Sequence, residues 1–250
     1  MVIGPKIVDD GLVFSLDAGA PRSYPGSGTT WYNITSIPDG DFTLAGGLVL
    51  TSSYNNGLAF DGTDDYGYGS GTFVEENFVN NQSVTVEAFI DVTGYPSGNT
   101  GLYSNQRYYT EGNPGGFGVN IQSNGSSYIR YVFMMTSEDG GTKVSYQNIL
   151  NENITFNQPH HICYTYDGTG KTVTSYRDGE SSQTITNSNY YWTTSSASPA
   201  PVVPRIANSS QGGWGNRLPA IYYSLRVYGK ALSADEVATN YNAHKKRYKL

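Results

Sequence analysis

The sequence has little of three features that commonly stabilise or locate a protein. It has one cysteine, Cys163, in 250 residues, so no disulfide can form within the chain and the fold depends on its core. Only 14% of the residues are charged, and the formal net charge is −6. Because proteins that bind nucleic acids present a basic surface to the phosphates, this balance argues against a nucleic-acid partner.

Long apolar runs are also missing. No segment approaches the roughly 20 apolar residues of a transmembrane helix, and residues 1–10 contain one lysine and no apolar stretch of the secretory type. We therefore expect neither a membrane partner nor export by the standard secretory route.

The abundant residues are those of a β protein with many turns, since the chain has 30 glycines and 22 tyrosines. The clearest pattern lies at residues 159–180. Two runs of β-branched and aromatic residues, at 160–166 and 171–177, are joined by Asp-Gly-Thr-Gly, which predicts a β-hairpin. A second Asp-Gly, at 178–179, turns the chain into a third strand. Turns about every ten residues are typical of a sandwich or barrel.

Two motifs resemble laminin G-like proteins of the concanavalin A-like lectin/glucanase superfamily. The predicted hairpin is similar to their central hairpin, with His-His, Tyr-Asp-Gly and Tyr-x-Asp-Gly in this order at 160–179. The opening is more specific: Leu-Asp-Ala at 16–18 leads to Ser-Tyr-Pro-Gly-Ser-Gly-Thr at 23–29 and then Trp31. It closely resembles the opening of laminin G-like proteins common in tailed bacteriophages. Asn33 stands where those proteins often have aspartate.

The remainder of the chain continues the resemblance. Residues 57–66 resemble the family's strand and turn Phe-Asp-Gly-x-x-Asp-Tyr, and Phe89 occupies the tryptophan position of another family strand. The closing signature, Tyr-x-x-Ala-Leu-Ser-x-x-Glu, is similar to residues 228–236. Ser233 and Glu236 form a capping box that predicts a helix reaching about Lys245. The resemblance extends from about residue 11 to residue 248.

These patterns and the resemblance predict an all-β protein. We expect a concanavalin A-like jelly-roll β-sandwich of two antiparallel sheets with a short C-terminal helix. Residues 11–250 are predicted to form this one domain, with residues 1–10 as an N-terminal arm. Cys163 falls within a predicted strand, so we interpret it as a small buried residue rather than a reactive thiol.

The sequence argues against catalysis. Sandwich glucanases of the superfamily carry Glu-x-Asp-x-x-Glu on one strand, and this string is absent. The nearest pair, Glu87 and Asp91, has backbones ~13 Å apart along one strand, whereas glycosidase carboxylates lie roughly 5–9.5 Å apart. His160 and His161 face opposite sides of a predicted strand, and no Gly-x-Ser-x-Gly motif accompanies them. We interpret Glu87 and both histidines as framework and expect no enzyme.

Candidate ligand-binding residues are aromatic side chains in predicted loops. Their flat apolar faces and polar edges suit stacking on sugar rings and contacts with proteins. The candidates are Trp214, Trp192, Tyr190, Tyr108 and Tyr109. The alternative is that each ring packs its own loop against the sandwich.

The candidate metal ligands are Asp61, Asp64 and Asp65, three carboxylates within five positions. Calcium prefers several oxygen ligands, which this cluster offers. The alternative is a turn in which the carboxylates accept hydrogen bonds from backbone amides. We favour the turn, so no cofactor is expected and calcium is the alternative.

The resemblance implies a non-enzymatic structural protein at the surface of a tailed phage particle. It would be a lectin-like module on the capsid or tail. The expected partners are other virion proteins and host-surface glycan, and oligomerisation is left open. Two alternatives are a carbohydrate-binding module of a cell-surface protein and a polysaccharide hydrolase.

Overall fold

A computed structural model describes residues 6–52, 56–70, 77–78, 82–96, 98–105, 116–124, 128–139, 142–146, 151–190, 203–208, 216–248 and 250. These residues contain seventeen strands and a C-terminal helix. The strands are β1 Leu12–Asp17, β2 Thr30–Trp31, β3 Phe42–Ala45, β4 Val49–Thr51, β5 Gly57–Asp61, β6 Tyr66–Tyr68, β7 Val84–Val92, β8 Thr100–Ser104, β9 Phe117–Asn124, β10 Tyr128–Asp139, β11 Thr142–Tyr146, β12 Asn151–Ile154, β13 His160–Asp167, β14 Thr172–Arg177, β15 Glu180–Thr186, β16 Arg205–Ile206 and β17 Pro219–Tyr228. The helix, α1, is Ala234–Tyr248.

The strands form two sheets. Sheet A has eight strands in the order β15-β14-β13-β7-β17-β5-β4, with β1 also paired to β17. Sheet B has nine strands in the order β11-β10-β9-β8-β16-β6-β3-β2, with β12 also paired to β10. One hydrophobic core contains side chains from both sheets, among them Val86 of sheet A and Val119 of sheet B. The predicted β-sandwich of two antiparallel sheets with a C-terminal helix is confirmed.

The predicted hairpin forms β13 and β14, and the third strand of the meander is β15. Its first ladder pairs Tyr164 with Ser175 and its second pairs Thr174 with Thr184. At the second turn, Asp178 has φ 52° and Gly179 has φ 86°, so the Asp-Gly pair supplies the left-handed backbone that the turn needs. These local sequence signals were sufficient to place the meander.

Sheet A is covered on both faces at its central strand β7. All nine β7 residues are buried. Val84, Val86, Ala88, Ile90 and Val92 belong to the core between the sheets. Phe89, on the opposite face, contacts His244 and Tyr248 of α1 with ring centroids 5.5 and 4.9 Å apart. The helix is therefore a third layer on the outer face of sheet A.

The capping box at the start of α1 is confirmed. The Ser233 N–H donates to Glu236 Oε2 at 2.8 Å, and the Glu236 N–H donates to Ser233 Oγ at 3.3 Å. The helix continues beyond the predicted end near Lys245 to Tyr248. Cys163 is buried beneath this helix, and burial raises the pKa of its thiol, as expected for a structural residue.

Residues 6–10, the described part of the predicted N-terminal arm, lie against the domain. The Val8 N–H donates to Asn240 Oδ1 at 2.8 Å, and the Tyr228 hydroxyl donates to the Val8 carbonyl at 3.2 Å. Asp10 forms an ion pair with Lys230 at 2.7 Å. Residues 1–5 lie outside the described residues. No helix within the described ranges has the length and apolar character that crossing a membrane requires.

Candidate functional site

Four of the five aromatic residues predicted to bind ligand, Trp214, Trp192, Tyr108 and Tyr109, lie outside the described residues. The fifth, Tyr190, is only 6% exposed and packs in the core between the sheets. Its carbonyl accepts a hydrogen bond from the Tyr166 hydroxyl at 2.9 Å. Tyr190 therefore follows the alternative interpretation of these aromatic residues, in which the ring packs its own loop against the sandwich.

An aromatic surface does lie on the outer face of sheet B, on the short strand β6. Successive strand residues face opposite sides, and Gly67 faces the core, where an added Cβ would lie 2.6 Å from Ile206 Cγ1. Tyr66 and Tyr68 therefore face outward. Their rings are stacked with centroids 5.9 Å apart and planes at 30°, and Tyr68 is 38% exposed.

Two arginines adjoin these tyrosines. Arg205 of β16 is the direct register partner of Tyr68. The Arg217 guanidinium lies over the Tyr66 ring, with Cζ 4.5 Å from the ring centroid. Arg217 Nη1 also donates to Asn208 Oδ1 at 2.7 Å, which fixes the direction of the guanidinium. We call Tyr66, Tyr68, Arg205 and Arg217 the tyrosine–arginine platform.

Small side chains continue the outer face beyond Arg205. Its register partner on β8 is Ser104, and the partner of Ser104 on β9 is Gly118. An added Cβ on Gly118 would lie 2.8 Å from Ser104 Oγ, so no larger side chain fits at this position. The sheet surface next to Arg205 therefore carries no bulky group at Ser104 or Gly118, but both residues are buried, so the exposed surface of the platform does not extend over them.

The described residues that flank the undescribed aromatic candidates lie close to the platform. Asn105, next to Ser104, donates its N–H to the Phe117 carbonyl at 3.1 Å, and the segment 106–115 with Tyr108 and Tyr109 runs between them. The Gly69 N–H donates to the Pro204 carbonyl at 2.9 Å, where the segment that contains Trp192 ends. The segment 209–215, with Trp214, runs between Asn208 and Arg217. The platform thus stands where these segments join the fold.

The aspartate cluster forms a turn. Asp61, Asp64 and Asp65 each offer a ligand oxygen within 4.8 Å of the others. Asp61 Oδ1 accepts from the Thr63 N–H at 2.7 Å and the Asp64 N–H at 3.4 Å, and Asp65 Oδ2 accepts from the Asp61 N–H at 2.9 Å. The Thr63 amide is the main cause of the lowered pKa of Asp61. These bonds are those of the predicted turn.

One oxygen of the cluster fits the calcium alternative better. Asp65 is 4% exposed, and its Oδ1 has no hydrogen-bond partner among the described residues. Burial, then the charges of Asp61 and Asp64, raise the pKa of Asp65. The three carboxylates are the kind of oxygen ligands that a hard cation prefers. The hydrogen bonds from backbone N–H groups to the other carboxylate oxygens are those expected for a turn.

Glu87 lies at the centre of a buried polar network beneath α1. Its Oε1 accepts from His161 Nε2 at 2.8 Å, and its Oε2 accepts from Arg226 Nη1 at 3.3 Å and Asn240 Nδ2 at 3.1 Å. Burial alone would raise the pKa of Glu87, but His161 and Arg226 outweigh it and hold the pKa below its ordinary value. Arg226 Nη2 also donates to His244 Nε2 at 3.0 Å. The network joins sheet A to the helix.

His160 and Asp91 have different surroundings from Glu87. His160 Nδ1 lies 3.4 Å from Asp178 Oδ2, and the ring borders a groove of about 250 Å³ that Thr155 and Arg177 also line. Asp91 is 4% exposed, and burial raises its pKa to about 6. The two histidines share Asp178 as a partner, because the His161 backbone N–H donates to Asp178 Oδ1 at 3.0 Å, whereas Glu87 and Asp91 share no hydrogen-bond partner among the described residues.

The platform residues Tyr68, Arg205 and Arg217 were not predicted from the sequence. The Tyr-Gly-Tyr alternation of β6 could have indicated two rings on one face. The two arginines follow more than 130 positions later, as their numbering shows, and no local pattern connects them with β6.

The comparisons with known proteins agree with the fold. The family model for the concanavalin A-like lectin/glucanases superfamily matches residues 61–238. Among curated proteins, none matches the chain in sequence.

Solved structures similar to the chain include the binding domain of Paraclostridial Mosquitocidal Protein 1, with a TM-score of 0.65 and 13% identity over 94% of this chain and 52% of that one. A Trypanosoma rangeli sialidase in complex with 2,3-difluorosialic acid has a TM-score of 0.62 and 14% identity over 98% and 35%. The receptor-binding domain of botulinum neurotoxin C/D mosaic serotype has a TM-score of 0.62 and 11% identity, and the match covers 94% of this chain and 52% of that one. The chain spans about a third of the sialidases and half of the toxin chains, and at these identities the similarity is one of fold.

Proposed function

Because the chain belongs to the concanavalin A-like lectin/glucanases superfamily, we propose that it is a non-enzymatic, glycan-binding module whose binding surface is the tyrosine–arginine platform. The observation that carries the proposal is the stacking of Tyr68 on Tyr66 outside the core, with 38% of Tyr68 exposed. A fold shared with lectins does not by itself imply sugar binding. The proposal therefore depends on this surface.

The chemistry of the platform suits a sugar ring. A tyrosine ring presents a flat apolar face to the C–H groups of a sugar and a hydroxyl at its edge. Arginine presents up to five N–H donors in a fixed plane, and sugars are rich in acceptor oxygens. Tyr66 and Arg217 support each other, because the guanidinium lies 4.5 Å above the ring. A ligand ring on Tyr68 would therefore meet side chains that are already ordered.

The structural role of Glu87 supports the proposal that the protein is not an enzyme. Its carboxylate is fully buried and accepts hydrogen bonds from three side chains, so it has no open position for a substrate. Asp91 has the raised pKa of about 6 that a general acid would need. It is buried, however, and belongs to different surroundings from Glu87.

We test glycan binding with a glycan array probed by wild-type protein, Tyr68→Ala and Tyr95→Ala. Tyr95 is a matched control because it is 45% exposed and its ring contacts Phe156 instead of the platform. We expect wild type and Tyr95→Ala to bind the same glycans and Tyr68→Ala to lose at least tenfold in affinity with an unchanged melting temperature. Equal binding by Tyr68→Ala would reject the platform as the binding surface.

We further propose that the module is displayed on the capsid or tail of a tailed phage particle, with other virion proteins as partners. The support is the sequence at residues 16–31, which resembles the opening of laminin G-like phage proteins. Mass spectrometry of purified virions should find the protein, and antibody labelling should place it on the particle surface. Its absence from virions would favour a carbohydrate-binding module of a cell-surface protein.

A further inference from the structure

We infer that the glycan bound at the tyrosine–arginine platform is acidic, with carboxylate groups on its sugar units. This inference rests on the proposed function and specifies its ligand class. It comes from the two arginines rather than from the tyrosines, since aromatic stacking alone accepts neutral and charged sugars equally.

The first observation is that Arg205 has no acidic partner. Arg205 is half-buried between Tyr68 and Ser104 in the sheet B register. Its Nε is buried without a hydrogen-bond partner, and no ion pair to Arg205 exists among the described residues. The chain has 21 acidic and 15 basic residues, so a partner could readily have been provided. Burying part of a guanidinium group without a hydrogen-bond partner costs free energy unless a ligand supplies the missing acceptor.

Buried Arg226 and half-buried Arg247 also have an Nε without a hydrogen-bond partner in the described part of the chain, but they differ from Arg205 because their Nη atoms bind carboxylates. Arg247 binds both oxygens of Asp17, at 2.6 and 2.7 Å, and Arg226 pairs with Glu87 at 3.3 Å. Both of these arginines are used to hold α1 on sheet A. Arg205 lies on the opposite sheet, where no helix covers it in the described structure, and faces outward beside an exposed ring.

The second arginine is oriented but also lacks an acid. Arg217 is held by the Asn208 side-chain oxygen and by the face of Tyr66. Its Nε is buried without a partner among the described residues. Asp65, the nearest acid to Tyr66 in sequence, turns its Oδ2 toward the Asp61 amide instead. Two guanidinium groups, one beside each stacked tyrosine, therefore have donor atoms without acidic partners.

The guanidinium group indicates the class of ligand. Its planar N–H fork matches a carboxylate with two parallel hydrogen bonds, and such charge-assisted bonds are about twice as strong as neutral ones. A sugar acid stacked on Tyr68 would place its ring against the aromatic face and its carboxylate near Arg205. A neutral sugar would satisfy the stacking and leave the guanidinium without a negative partner.

The experiment measures binding of a panel of acidic oligosaccharides, namely galacturonate, alginate, hyaluronan and sialic acid oligomers, by calorimetry. Each is paired with its carboxyl-reduced counterpart, which has the same sugar chain without the charge. We expect at least one acid to bind tenfold or more tightly than its reduced form. A sulfated, carboxylate-free polysaccharide that bound as tightly would show that charge alone decides, and would overturn the carboxylate assignment.

The variants are Arg205→Gln, Arg217→Gln and the control Arg22→Gln, which lies on an exposed turn. The platform variants should remove most of the preference for acid over reduced glycan, and the control should keep it. An unchanged preference in both platform variants would overturn the inference, as would the failure of every acid to exceed its reduced form. If the inference is overturned but neutral glycans bind wild type and not Tyr68→Ala, the proposed function still holds. If no glycan binds, both the proposed function and the acidic-ligand inference are rejected.

Discussion

The His161 imidazole donates from Nε2 to Glu87 Oε1 at 2.8 Å, with both side chains fully buried between sheet A and α1. The other ring nitrogen, Nδ1, accepts from the Gly179 N–H at 3.3 Å. The histidine thus links the framework carboxylate to the turn that begins β15. Glu87 connects this turn, through Arg226 and Asn240, to the C-terminal helix.

Replacing Glu87 by Gln should destabilise the protein strongly. The change keeps the shape of the side chain but leaves the fully buried Arg226 without its carboxylate. Breaking a buried ion pair by removing one partner costs about 3–5 kcal/mol. Urea denaturation measures the loss, with Glu180→Gln on the exposed strand β15 as the control. A change below about 1 kcal/mol in Glu87→Gln would contradict the structural role.

The protein should not hydrolyse polysaccharides. Neither Glu87, which is buried with three donors, nor the buried Asp91 is placed to act on a sugar. Reducing-sugar assays on laminarin, agarose and the glycans that the array identifies should therefore give no turnover. Turnover that is lost in Asp91→Asn or Glu87→Gln, while the melting temperature stays high, would show that the protein is an enzyme.

Acid should destabilise the protein through His244. Burial, and then the charge of Arg226, lower the pKa of His244 from 6.5 to about 4. Between these pH values the unfolded chain binds a proton at His244 that the folded protein does not. The contribution of neutral His244 to the free energy of unfolding is therefore complete above pH 6.5 and decreases as the pH falls toward 4. From pH 7 to pH 4.5 the loss corresponds to about 2–3 kcal/mol.

The variant His244→Gln isolates this effect, because Gln keeps an acceptor for Arg226 but does not titrate. Urea denaturation at pH 7 and pH 4.5 should show a smaller loss of stability in His244→Gln than in wild type. Lys246→Gln, on the same helix, serves as the control and should resemble wild type. Equal losses in wild type and His244→Gln would show that His244 does not contribute.

Chelation should leave the melting temperature almost unchanged. The hydrogen bonds of Asp61 and Asp65 to backbone amides already form the turn. A calcium ion at 100 times its dissociation constant would add about 2.7 kcal/mol, which for a domain of this size is a shift of roughly 5–10 °C. We expect EDTA to shift the midpoint by about 1 °C or less. A larger shift that added calcium reverses would identify the cluster as a metal site.

The local elements were determined by the sequence itself. Asp178-Gly179 and the flanking β-branched residues are sufficient for the β14–β15 turn, because the left-handed backbone and the side-chain alternation are properties of neighbours in the chain. Ser233 and Glu236 likewise form their capping box within one helical turn. The two-sheet sandwich could be predicted from the rhythm of such signals and from the resemblance.

Only the tertiary structure decided which side chains share a surface. Tyr68 and Arg205 are adjacent because β6 pairs with β16, and Arg217 reaches Tyr66 because Asn208 and Arg217 form a bridge. The covering of sheet A by α1 similarly turned the outward face of β7 into the buried network around Glu87. Such pairings join residues far apart in sequence, so they depend on the whole pattern of burial and register and leave no local signal.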